Sequence, residues 1–214
     1  MSKDIISKSV IRRLPRYYRF LDELDEGGYV RISSRELAEK MGLTASQIRQ
    51  DFNCFGEFGQ QGYGYNVKEL RNQIGNILGI EKRNPMILVG AGNLGRAIAS
   101  HIDFTDRGFE LVGIFDLSSD VIGKNVADIT VQNISEIDKF CIENKPVAAI
   151  LCIPKDAAEK VSDKLISHGV KAFWNFTHYD IRLNHPDVTV ENVHLGDSLT
   201  VLSYCLNCEN ENKM

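Results

Sequence analysis

Three glycines at fixed spacing, Gly90-x-Gly92-x-x-Gly95, and a carboxylate 21 residues further on, Asp116, are residues whose types and spacing can hold a dinucleotide. The glycines follow an apolar run, "MILV", and open the helical pattern "NLGRAIASHI". In that context Gly90 permits a tight turn, Gly92 lets the backbone approach a pyrophosphate, and Gly95 lets helix and strand pack closely. The helix N-terminus offers amide donors and the positive end of its dipole to phosphates. Asp116 closes "ELVGIFD", where it can accept from ribose hydroxyls and repel a 2′-phosphate. The expected contacts are Gly90, Ala91, Gly92, Asn93, Leu94, Gly95 and Asp116, with NADH and NAD+ preferred over the phosphorylated cofactors.

Other reactive side chains are scattered. His101, His168, His178, His185 and His194 are acid–base candidates by type, and His178, after a strand, is the best placed. Five cysteines form no disulfide framework. Cys205-x-x-Cys208 lacks a second pair of ligands and reads as two small residues on a terminal helix. No catalytic and no metal-ligating residue is therefore assigned.

The elements that would position the cradle are alternating strands and helices. "PVAAILCIP" reads as a strand ending at Pro154, "KDAAEKVSDKLISHG" as a helix, and "VKAFWNF" and "VTVENVHL" as further strands. Ligands in open α/β sheets sit beyond the carboxyl ends of strands. Cys152, Ile153 and Pro154 fall at one such end, and Asn175, Phe176 and Thr177 at another. Of these, Cys152, Ile153, Pro154 and Phe176 join the expected cofactor set. The roughly 120 residues beyond the cradle are needed to finish the sheet, which leaves no substrate domain. The shortage favours a sensor over the alternative, a small NAD-dependent oxidoreductase.

Upstream of the cradle the pattern is helical and then turn-rich. Pro15 reads as the first turn of a helix through Leu14, Tyr17, Tyr18, Leu21 and Leu24, closed by Gly27 and Gly28. In "SSRELAEKMGLTASQIRQDFNCFG", Ser34 is the expected cap of one helix, and Thr44 with Gln47 caps a second after Gly42. Two short helices around a tight turn form a helix-turn-helix, whose second helix enters the major groove. "GEFGQQGYGYNV" then reads as the hairpin wing of a winged helix. The expected DNA-facing residues are Arg12, Arg16, Ser46, Gln47, Arg49, Gln50, Phe58, Gln60, Gln61 and Tyr63; Arg and Gln can pair bidentately with guanine and adenine edges. "VKELRNQIGNILGI" is an amphipathic linker helix with Val67, Leu70, Ile74, Ile77 and Leu78 on one face, and "EKRNP" marks a boundary.

Charge supports this division. The chain is −4 overall, but residues 1–84 carry +3 and the remainder −7, a basic module joined to an acidic one. With 43% hydrophobic and 25% charged residues the composition is that of a globular protein. No apolar run approaches the roughly 18 residues of a membrane span, and the N-terminus lacks an apolar signal core, so a cytoplasmic location without membrane partners is expected. "LGDSLTVLSYCL" places Leu195, Leu199, Leu202 and Leu206 on one helical stripe, which must dock on its own sheet or on a second subunit.

"RLPRYYRFL", "SSRELAEKMGLTASQIRQDF", "FGEFGQQGYGYNV", "VGAGNLGRAI" and "WNF" before the terminal helix together resemble the Rex family of redox-sensing repressors, over nearly the whole chain. The resemblance implies an α/β protein. Residues 1–84 would be a winged helix with its linker helix, 85–194 a Rossmann-type doubly wound parallel sheet for NAD(H), and 195–214 a domain-swapped helix and tail of a homodimer. It also implies repression at palindromic, double-stranded operator DNA, relieved when NADH rises. Gln60 and Gln61 stand where the family's wing tip carries basic residues. The family's coupling network pairs an Arg of the "RLP" segment with an Asp before the swapped helix and a Tyr on the first Rossmann helix. Arg13 matches, His194 and His101 occupy the other two places, and Asp197 is a substitute for the carboxylate.

Overall fold

Ser7, not Pro15, starts the first helix. Its side chain accepts from the Val10 amide, and α1 runs Lys8–Glu26 with Pro15 inside it. An interior proline leaves the carbonyl four residues back, that of Ile11, without its usual donor. Both residues are on the exposed side of α1, where water can serve that carbonyl. The opposite face buries Val10, Leu14, Tyr17, Leu21 and Leu24. The structure is a computed structural model that describes residues 6–56, 58 and 64–211. It divides into two units, Met1–Glu81 and Lys82–Met214.

In the first unit β1 (Arg31–Ile32) precedes α2 (Ser34–Met41) and α3 (Ala45–Asn53). The cap of α2 is Ser33, one residue earlier than expected. Ser33 and Glu36 exchange bonds in a full capping box. Gly42, at φ 64°, makes the left-handed turn between the helices, and Thr44 Oγ1 accepts from the Gln47 amide to cap α3. β2 (Tyr65–Asn66) pairs antiparallel with β1, so the described arm of the wing is laid against the strand before the helix-turn-helix. Gly64, at φ 70°, brings its backbone against the Ile32 carbonyl, where a Cβ would stand 2.8 Å from that oxygen. Gln60, Gln61 and Tyr63 lie outside the described residues. α4 (Val67–Leu78) buries Val67, Leu70 and Ile74. Ile77, expected on that face, is exposed; only Leu78 of the two packs on the core. α1 and α4 are also joined by Arg71, which donates to Asp22 at 2.6 Å and covers the Tyr18 ring.

The second unit is built on β3 (Asn84–Val89), β4 (Phe109–Asp116), β5 (Asn125–Val126), β6 (Ile129–Asn133), β7 (Ala148–Leu151), β8 (Ala172–Asn175) and β9 (Thr189–Asn192). Their order is β5-β6-β4-β3-β7-β8-β9, parallel except for the antiparallel β5. The chain leaves β3 toward β4 on one side and returns to β7 on the other, so the topological switch falls between β3 and β7. β3 and β7 are near-continuous apolar runs, as strands covered on both faces must be. β7 ends at Leu151, three residues before Pro154. β5, β6 and α6 (Ile137–Asn144) carry too weak a pattern for sequence reasoning to separate them.

α5 (Asn93–His101) packs on one face of the sheet with Ile98 and Ala99. α6 and α7 (Lys155–Ser167) cover the other with Ile137, Cys141 and Leu165. α8 (Leu195–Glu211) closes the described chain. Docking of α8 on its own sheet, one of the two expected arrangements, is not what the structure has. Leu195, Leu199, Leu202 and Leu206 are all more than half exposed.

Candidate nucleotide cradle and DNA-reading helix

Each of the three glycines does the separate job its position demands. Gly90 adopts φ 101°, and a Cβ there would collide with the Cys152 carbonyl. Gly95 presses the first turn of α5 onto the loop, where a Cβ would overlap the Gly90 carbonyl. Gly92 faces open space, with nothing within 4 Å of the Cβ it lacks. Gly92 is also the N-cap of α5 and offers no side chain to the first amides, so those donors stay available. An open approach over unfilled amides at a helix N-terminus fits a pyrophosphate.

Asp116 is brought to the same loop. Its Oδ2 accepts from the Ala91 amide at 2.6 Å and its Oδ1 from the Ser118 amide at 2.8 Å. The carboxylate is half-buried and keeps lone pairs for a ribose. Asn93 and Leu94 are exposed at the helix mouth, and Arg96 on the next turn donates to Asn93 Oδ1. Ala91 is fully buried and can contribute only its backbone. The chemistry of these residues fits a dinucleotide.

At the strand ends the predicted set divides. Cys152 and Ile153 are partly buried and Pro154 is exposed, beside Gly90 across the switch. Burial pushes the Cys152 thiol up to about 12, so it is a packing residue and not a nucleophile. Phe176 meets Trp174 edge-on, with ring centroids 4.8 Å apart. Asn175 and Thr177 are structural. Asn175 donates to the Tyr179 carbonyl and to Asn192 Oδ1, while its own Oδ1 accepts from the Thr177 amide and hydroxyl. His178, the acid–base candidate, stacks on His194 instead.

In the first unit, Ser46, Arg49 and Gln50 are exposed on α3 and Gln47 is half-buried. Arg49 donates to Ser34 Oγ at 3.0 Å, which orients the guanidinium along the helix pair. Arg12 and Arg16 are exposed on α1, and Arg16 donates to the Met41 carbonyl at the end of α2. Phe58 is partly buried, its ring 5.4 Å from Phe52, so it anchors the base of the wing on the core.

Sequence reasoning missed what holds α3 in place. Asp51 is 2% exposed, and Arg13 grips it bidentately through Nε at 2.6 Å and Nη2 at 2.7 Å. The Tyr17 hydroxyl donates to the same carboxylate at 2.7 Å. The hydrogen bond to Asp51 raises the Arg13 pKa, and burial, then the carboxylate, raise that of Tyr17. Arg13 is thus paired with Asp51 within the first unit. The signal available was Asp51 sitting between Ile48 and Phe52 on a buried helical face.

A helix-turn-helix with a wing strand and a Rossmann-type cradle define a transcription regulator with a nucleotide sensor. Family models agree: residues 5–53 match one described as "Putative DNA-binding protein N-terminus" and residues 81–179 one described as "CoA binding domain". The redox-sensing transcriptional repressor Rex of Thermoanaerobacter sp. (strain X514) is 54% identical over 97% of this chain and 92% of its own. The solved structure of RSP with β-NAD+ and operator DNA matches at TM-score 0.90 and 52% identity, covering 98% of this chain and 96% of that one. RSP with β-NADH matches at 0.88 and 50%, covering 98% of each. The chain belongs to the Rex family of redox-sensing transcriptional repressors.

Proposed function

We propose that this protein is a non-enzymatic repressor that reads the NADH/NAD+ ratio and leaves operator DNA when NADH binds. The observation that carries the reading is Gly92. Its missing Cβ opens onto unfilled helix amides, with Asp116 beside the same loop. The related RSP structures contain β-NAD+ with operator DNA in one case and β-NADH in another. Arg49, Gln50 and Ser46 are the expected base-edge readers, Arg12 and Arg16 the expected phosphate contacts, and Gln60, Gln61 and Tyr63 the wing's contribution. Among the described residues no helix is long and apolar enough to cross a membrane, and a cytoplasmic site of action follows from the DNA partner.

The working form is a homodimer on a palindromic site. Two features of the second unit support it. The leucine stripe of α8 is bare, and the sheet face near β8 holds an apolar recess of about 300 Å³ lined by Met86, Phe104, Phe109, Ala172 and Trp174. The α8 of a second copy has the right chemistry to cover such a face. The deciding experiment is a titration of fluorescent operator, selected in vitro by the full-length protein, with and without NADH. NADH should weaken operator affinity about 5–150-fold, and operator should weaken NADH binding by the same factor. NAD+ should do less, and CoA should not compete. Operator affinity unchanged at saturating NADH would reject the sensor.

A further inference from the structure

The carboxyl ends of four neighbouring strands are tied by a run of backbone bonds. The Cys152 amide donates to the Val89 carbonyl, the Phe176 amide to Leu151, and the Val193 amide to Asn175, at 2.8–3.0 Å. The run starts beside the glycine loop and finishes at the residue before His194. At that point α8 begins, and the Asp197 amide donates to the His194 carbonyl at 3.1 Å. The Asn175–Asn192 side-chain bond fastens β8 to β9 at the same level.

One contact bridges this edge from loop to helix. His178, two residues past Phe176, lies parallel to His194, with an interplanar angle of 7° and centroids 5.0 Å apart. His194 Nδ1 is a buried side-chain nitrogen with no hydrogen-bond partner among the described residues. A buried polar atom without a partner is costly. The ring is therefore held by packing and stacking, and a small displacement can offer Nδ1 a partner.

We propose that the His178–His194 stack is the positioning contact that passes the state of the cofactor cradle to the terminal helix. The inference rests on the sensor reading above and names the moving part within it. A cofactor bound at the switch point bears on the Phe176 side of the β8 loop. His178 moves with that loop, and the stack transmits the movement to the first turn of α8. Neither histidine needs to touch the cofactor or DNA.

The test uses full-length protein with His178→Ala and His178→Phe. Three quantities are read: NADH affinity from its own fluorescence, operator affinity without NADH, and the ratio of operator affinities with and without saturating NADH. His178→Ala should keep the first two within about twofold while the NADH-induced ratio collapses at least fivefold, a size typical of allosteric coupling. His178→Phe, which keeps a flat ring, should restore most of the ratio. The His194 ring-proton resonances should also shift on NADH addition in the parent and lose their ring-current offset in His178→Ala. A full NADH response in His178→Ala overturns the proposal, as does an equal defect in the Ala and Phe variants, which would make imidazole chemistry and not stacking the requirement. Absence of any NADH response in the parent would instead remove the sensor reading, and this inference with it.

Discussion

The two units fix their functional residues by opposite means. In the first, a buried carboxylate does it: Asp51 accepts from Arg13 and Tyr17 and ties the last turn of α3 to α1. In the second, the absence of side chains does it: Gly90 and Gly95 allow contacts that any Cβ would prevent, and Gly92 leaves space. α3, the proposed reading helix, is held within its own unit. The cradle unit differs, because the first amides of α5 have no side-chain cap and α8 exposes its leucine stripe. A reader must keep one geometry to recognise one sequence, whereas a sensor needs a second state that a ligand can select.

Breaking the unfinished side should have the largest effect. Leu199 and Leu202 are 67% and 56% exposed on α8, and burying a leucine contributes about 1.5–3 kcal/mol. Leu199→Asp with Leu202→Asp should raise the dimer dissociation constant by a factor on the order of 10³ or more. Sedimentation should find monomer, and affinity for a palindromic operator should fall with it. The α3 unit should still fold. A stable dimer in the double variant would remove α8 from the interface.

Breaking the finished side should cost less overall but fall entirely within it. Asp51→Ala leaves Arg13 and Tyr17 facing an empty site, and removing one partner of a buried pair costs about 3–5 kcal/mol. Arg13 is 24% exposed and can rehydrate, which favours the lower end of that range. Urea unfolding of the first unit, followed by tyrosine fluorescence, should shift by that amount. NADH binding should survive, because the cradle shares no residue with the cluster. Unfolding that takes both units together would show that the contrast between them is not one of independent parts.

Within the cradle, two glycines sharpen the comparison between packing and function. Gly95→Ala must push α5 away from the Gly90 carbonyl, an overpacking that costs about 1–3 kcal/mol of stability. Gly92→Ala meets nothing within 4 Å, so the melting temperature should hardly move. Its methyl group nonetheless enters the space left for phosphate, and NADH affinity should drop about tenfold, or 1.4 kcal/mol. If Gly92→Ala binds NADH as tightly as the parent, the open space over α5 is not the pyrophosphate site.

These cases also explain what the sequence could reveal. A backbone requirement appears in one chain position as glycine, so the tight turn at Gly90 and the close packing at Gly95 were legible in the sequence. Asp51 was not, because its partners lie 38 and 34 residues away and only the fold brings them together. Pro15 misled for a related reason. Its preference for a first turn is real, but α1 gains more from extending back to Ser7 and burying Val10 than it loses at one exposed carbonyl. The His178–His194 stack was invisible, since neither neighbour sequence specifies a partner 16 residues away across β9.

The smallest effect belongs to the helix that supports the reader. Glu36 accepts from the Ser33 amide at 2.8 Å, and the Glu36 amide donates to Ser33 Oγ at 3.1 Å. The bond from the Ser33 backbone, followed by that from its side chain, holds the Glu36 carboxyl below its ordinary value. A carboxyl whose folded pKa is depressed contributes stability above its unfolded pKa, near 4.3, and loses it as pH falls through the folded value. Glu36→Gln keeps the side-chain length but not the charge. The melting temperature of the parent should therefore exceed that of Glu36→Gln at pH 7, and the gap should close as pH falls below about 4.3. Other carboxylates titrate in both proteins and cancel in the difference. The fully exposed Glu36 is screened by water, so the gap should be small and should shrink further in salt. A gap that stays constant from pH 7 to 3 would mean that the cap of α2 does not depend on the carboxylate.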